Sequence, residues 1–136
     1  MGKFDELYKA AEALKGDRLI ERIERGYPVL SDAVNAFMKA VHGFHMANPE
    51  YGLGDYFEIL EQSGFSGGGL QFDAEDVDSM DARCIMAMLV FFTRAYHHSM
   101  NDMIVDYIKN GVVEKAVDRL KALESEKAEG AAHEKE

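Results

Sequence analysis

The nine consecutive residues CIMAMLVFF, 84–92, constrain this chain more than any other stretch of it. A helix with one apolar stripe can lie at a surface, whereas a helix apolar on nearly every side is stable only when neighbours surround it. A membrane would also surround it, but a span needs about 20 apolar residues, so the run is read as core. The apolar character extends from about Asp81 to Tyr96, and a buried central helix is expected near 80–96. With 136 residues the chain has one domain's length. Such a domain buries roughly two thirds of its unfolded surface.

The rest of the chain supplies the neighbours. Phe4, Leu7, Ala11 and Leu14 recur at three-or-four spacing, which predicts a first helix ending near Gly16. Leu19, Ile20 and Ile23 read as a second short helix, with Gly26 just past its end. Pro28 and Ser31 open a third, on which Val34, Phe37, Met38 and Val41 share a face, with His45 a further candidate for it, before Asn48 and Pro49 stop it. A fourth is expected from about Asp55 to Gln62, with Tyr56, Phe57 and Leu60 inward and its carboxylates outward. FSGGGLQFDAEDVDSMD reads as the main loop, because consecutive glycines and short acids disfavour a helix, with room for a brief strand at Leu70–Phe72. Asp78 or Ser79 is expected to cap the central helix. Met103, Ile104, Tyr107 and Ile108, then Val113, Ala116, Val117, Leu120 and Leu123, stripe two closing helices. The expected fold is all-α: a compact bundle of six or seven helices around the central one, with one Gly-rich acidic loop. Residues 1–124 form the single domain and 125–136 a polar tail expected to fray.

The net charge of −10 is unevenly placed. Residues 1–39 hold seven acids and seven bases, and 83–136 hold nine and eight. Between Lys39 and Arg83 there is no lysine or arginine, yet nine carboxylates: Glu50, Asp55, Glu58, Glu61, Asp73, Glu75, Asp76, Asp78 and Asp81. Direct nucleic-acid binding needs a basic face to neutralise phosphates, and none is visible. The single cysteine, Cys84, excludes an internal disulfide. No charged-then-apolar leader opens the chain, so the expected compartment is the cytoplasm.

RAYHHSMNDMIVD, 94–106, gathers two histidines, a serine and two aspartates. If the helix continued through it, His98, Asp102 and Asp106 would fall at i, i+4 and i+8, which is metal-ligand spacing, and His42 and His45 of HGFH could add ligands from a facing helix. The simpler reading makes Ser99 an N-cap with Asp102 in the first turn, and His97 and His98 structural. Since no HExxH or comparable signature accompanies the spacing, no metal or other cofactor and no catalytic residue are assigned. SGGGL lacks the GK[ST] of a phosphate loop, and DAEDVDSMD lacks the glycine and bidentate glutamate of an EF-hand. Cys84 opens an apolar helix, where a thiol is expected to be inert, and the methionines 86, 88, 100 and 103 read as core filling.

ARCIMAMLVFFTRAYHH followed by DYIKNGVVEKAVDRLKAL resembles the C-terminal half of a domain-of-unknown-function family of small prokaryotic and phage-associated helical proteins. Arg94, Gly111, Arg119 and Leu120 carry the resemblance, which covers about residues 82–123. AYHHSM replaces the acid, phenylalanine and cysteine of the family's turn, so no residue role transfers there. The resemblance implies a helical fold and a prokaryotic or phage origin, and no activity.

Two functions are compatible with these features. The first is a non-catalytic acidic interaction protein, of the kind a phage or mobile element uses as an inhibitor. Its carboxylates Asp55, Glu58, Glu61, Asp73, Glu75, Asp76, Asp78 and Asp81 would meet a basic, nucleic-acid-handling protein where phosphates otherwise lie. The second is a metal-dependent hydrolase using His97 or His98 with Asp102 and Asp106. A loop that only keeps the protein soluble explains the acids equally well. Self-association stays open.

Overall fold

Seven helices and one two-stranded antiparallel sheet account for the regular structure of the described residues. The computed structural model describes residues 4–65, 72–99 and 103–134, and leaves out the side chains of 27, 94–99, 103 and 126–134. The fold is thus mainly α, with a hairpin that the all-α expectation did not include.

α1 (Asp5–Glu12) buries Leu7, and Phe4 just before it stacks on Phe44 at 4.9 Å. The chain then turns into β1 (Ile20–Glu24) and β2 (Tyr27–Leu30), where a second short helix was expected. Arg25 and Gly26 both have positive φ, 52° and 82°, and two such residues between paired strands make the tight turn whose twist matches a hairpin. A glycine at positive φ serves a helix end equally well, which is why the residue alone was ambiguous. Ile23 pairs with Pro28 and is 64% exposed, so it leaves the core that the helical reading gave it. Proline lacks an N–H, and it is tolerated here because each strand of a two-stranded sheet has a free edge.

Asp17 fastens the hairpin to the next helix. Its carboxylate accepts from the Leu19 N–H at 2.9 Å and from the Ser31 hydroxyl at 2.6 Å. The Ser31 hydroxyl in turn accepts from the Val34 N–H at 3.2 Å, capping α2 (Asp32–Ala47). Val34, Phe37, Met38 and Val41 are buried on that helix, as their spacing predicts, and Phe44 rather than the half-buried His45 completes the face. Two 3-10 turns, Pro49–Tyr51 and Leu53–Asp55, lead into α3 (Tyr56–Gln62).

Within the stretch expected to be the main loop, Ala74–Val77 forms a single helical turn, α4. Asp73 precedes it, and the Asp76 carboxylate reaches back to accept the Asp73 N–H at 2.8 Å, so the dense acids that argue against a long helix favour this short one. The strand expected at Leu70–Phe72 lies largely outside the described residues; Phe72 itself is in no strand.

α5 (Ala82–Ser99) follows. Its cap is Asp81, which accepts the Cys84 N–H at 2.8 Å, rather than Asp78 or Ser79. Cys84 through Phe92 are all buried, and α5 packs against α2, α3, α6 (Met103–Lys109) and α7 (Val112–Glu134). The backbone of α7 is helical to Glu134. Its final stretch is rich in alanine, glutamate and lysine, all strong helix formers. The Tyr8 phenol donates to the Glu124 carboxylate, closing the first helix onto the last across 116 residues. Burial, then that bond, pushes the phenol's pKa well above its ordinary range. Among the described residues no helix is long and apolar enough to cross a membrane.

Candidate functional site

α3 is where the acidic segment meets an apolar surface. The helix has seven residues, of which Ile59 and Leu60 are buried and face α5. At 100° per residue Tyr56 falls between Ile59 and Leu60 around the helix, whereas Phe57 falls outside the stripe they define. Tyr56 is half-buried, whereas Phe57, expected inward, is 55% exposed. Ile59 takes the inward place that Phe57 does not. The Phe57 ring sits 4.6 Å from that of Tyr56 and 5.6 Å, edge to face, from that of Phe91 on α5. Phe91 also lies 6.2 Å from Phe72, the residue before Asp73. One buried ring therefore joins α3 to the start of the α4 segment.

The eight carboxylates expected to form one partner surface divide into two groups. Asp55, Glu58, Glu61 and Glu75 are exposed, and no lysine, arginine or histidine whose side chain is described forms an ion pair with them. Glu58 has only a 3.5 Å contact from the Gln62 amide. Asp73, Asp76, Asp78 and Asp81 are engaged. The first two frame α4, and Asp81 caps α5. Asp78 pairs with Lys115 of α7 at 3.0 Å. Arg119, one turn beyond Lys115, donates from Nε to the Met80 carbonyl at 3.2 Å. α7 thus brings cations to a segment that has none of its own, and most of the carboxylates that no described side chain pairs with lie on or just before α3.

The edge of this surface is also built by a cation. Arg83 donates from Nε to the Tyr51 carbonyl at 2.9 Å, and its guanidinium lies beside Gly52, whose φ of 63° lets the chain turn between the two 3-10 segments. A side chain at Gly52 would be strained by that φ and would meet Arg83 Nη2 at 3.4 Å.

The proposed metal ligands fare differently. His42 is exposed and His45 half-buried, their rings 6.3 Å apart, and His45 Nδ1 is buried with no hydrogen-bond partner among the described residues. Asp106 is exposed on α6. His97, His98 and Ser99 belong to α5 by backbone, so Ser99 ends a helix where it was expected to begin one. Their side chains, and the whole of Asp102, lie outside the described residues. Among the described residues no group of three or more histidines, cysteines or acids could hold a metal ion. The Cys84 thiol is buried, and burial raises its pKa, partly offset by Ser63, as expected of an unreactive cysteine.

A groove of about 300 Å3 runs between α1, the 14–19 turn and α7, floored by Leu14, Leu19 and Val117. Lys15 and Lys121 alternate with Glu114 and Asp118 along it, so it selects no charge. Sequence reasoning missed three contributors: the outward Phe57, and Lys115 and Arg119 opposite the α4 segment. The adjacency of Tyr56 and Phe57 was the one signal available for the first. No protein-family model, no curated protein and no solved structure matches the chain.

Proposed function

We propose that the chain is a non-catalytic interaction protein whose carboxylate-bearing surface binds a basic partner that handles nucleic acid. An inhibitor from a phage or mobile element, in keeping with the resemblance of residues 82–123, is the form such a protein takes. The observation that carries this reading is the run of Asp55, just before α3, and Glu58 and Glu61 on it, exposed and paired with no cation among the described side chains. Acids needed only as caps would be engaged as Asp76 and Asp81 are. Carboxylates left free beside a packed face supply a field that steers a cationic partner and stands in for phosphates. At physiological salt that field decays over about 8 Å, so it selects partners close to contact.

The test uses the acids that the fold does not need. In D55N/E58Q/E61Q/E75Q the association rate with a purified basic nucleic-acid-handling protein should fall on the order of tenfold at low salt, and its salt dependence should flatten. Thermal stability should stay nearly unchanged. Across a panel of such proteins, association kinetics identical to those of the unaltered chain would overturn the reading.

A further inference from the structure

We infer that Phe57 is the apolar anchor of this surface and that the segment docking on it presents arginine. The inference rests on the interaction reading above and names the chemistry of the partner's contact. Phe57 is a large apolar side chain exposed over half its area although buried positions exist on the same short helix. Its ring is held rather than loose, with Tyr56 at 4.6 Å and Phe91 edge to face at 5.6 Å. Glu61 stands one helical turn on, and residues four apart on a helix are surface neighbours. Glu58 is adjacent, and Asp55 precedes the helix.

A fixed aromatic face beside two carboxylates that no described side chain pairs with matches a guanidinium on two counts. The planar cation stacks on the ring, and its N–H fork bonds a carboxylate in two-point fashion. A lysine ammonium keeps the charge but is more strongly hydrated and offers neither the plane nor the fork. Two other occupants conflict with the charge. A second copy would bring its own α3 carboxylates and a further net charge of −10 against the same patch. An anionic lipid surface would be repelled likewise.

The experiment measures binding of three synthetic fluorescent dodecapeptides by anisotropy: arginine alternating with leucine and serine, the same with lysine, and the same with glutamate. The unaltered chain should bind the arginine peptide several-fold more tightly than the lysine one, and the glutamate peptide not at all. Phe57→Ala should weaken the arginine peptide about tenfold and abolish the preference over lysine. Phe57→Leu keeps apolar bulk without a π face and should also lose the preference, with a melting temperature that shows the fold intact. E58Q/E61Q should weaken both cationic peptides alike. Arginine binding unchanged in both Phe57 variants but lost in E58Q/E61Q would overturn the anchor while sparing the acidic-surface reading. Failure of either cationic peptide to bind the unaltered chain at low salt would overturn both. A dimer in sedimentation that Phe57→Ala dissolves would assign the patch to self-association and overturn the inference.

Discussion

The Tyr107 hydroxyl accepts the backbone N–H of Phe72 at 3.3 Å, a buried bond between residues 35 apart. Tyr107 on α6 also stacks on Phe92 of α5 at 4.2 Å, so one side chain fixes both the α5–α6 contact and the exit from the glycine-rich segment. Tyr107→Phe keeps the ring and removes the acceptor. A buried N–H left without a partner costs about 1 to 3 kcal/mol. Chemical denaturation of Tyr107→Phe should show a loss in that range, and unchanged stability would mean that water replaces the phenol.

Leu89 lies fully buried in the middle of α5, among residues contributed by several helices. Truncating it to alanine should cost about 2 to 5 kcal/mol, through lost burial and the cavity left behind. A midpoint shift in urea with an unchanged slope would report this directly.

Asp17 makes the acid limb of stability testable. The Ser31 hydroxyl and then the Leu19 N–H hold its folded pKa below the ordinary 3.8. A carboxylate with a lowered folded pKa contributes stability that is fully present above its unfolded value and is lost as pH falls through the folded one. Melting temperatures should therefore drop as pH decreases below about 4. Ser31→Ala removes the first cause of the shift, so the fall should be shallower in that variant once its lower plateau is subtracted. Parallel curves for the two proteins would contradict the assigned role.

Acids that build helices should separate from acids that only face solvent. Asp81→Ala removes the cap of α5 and should cost about 1 kcal/mol, within the usual 0.5 to 2. Glu58→Gln should stay within about 0.5 kcal/mol of the unaltered chain, as surface substitutions do. Asp78→Asn breaks an exposed pair with Lys115, a contact worth about 1 kcal/mol at most. If Glu58→Gln proved as costly as Asp81→Ala, the α3 carboxylates would be structural and the proposed surface would lose its basis.

Local pattern alone determined that residues 84–92 lie inside the molecule, that Ser31 opens a helix, and that 32–47 presents Val34, Phe37 and Val41 to the core. These follow from periodicity and side-chain chemistry over one or two turns, which neighbours in sequence already contain. Tertiary structure decided the rest. Gly26 ends a helix or turns a hairpin according to whether a second strand is there to pair, and Val29 and Leu30 pair with β1. Phe57 faces out because α3 docks on α5 through Ile59 and Leu60, and a seven-residue helix has one such stripe. The carboxylates between Lys39 and Arg83 look alike in a charge count. Only the fold sets Lys115 against Asp78 and, among the described side chains, pairs no cation with Glu58 or Glu61, because an ion pair depends on distance in space and the partner of Asp78 lies 37 residues away.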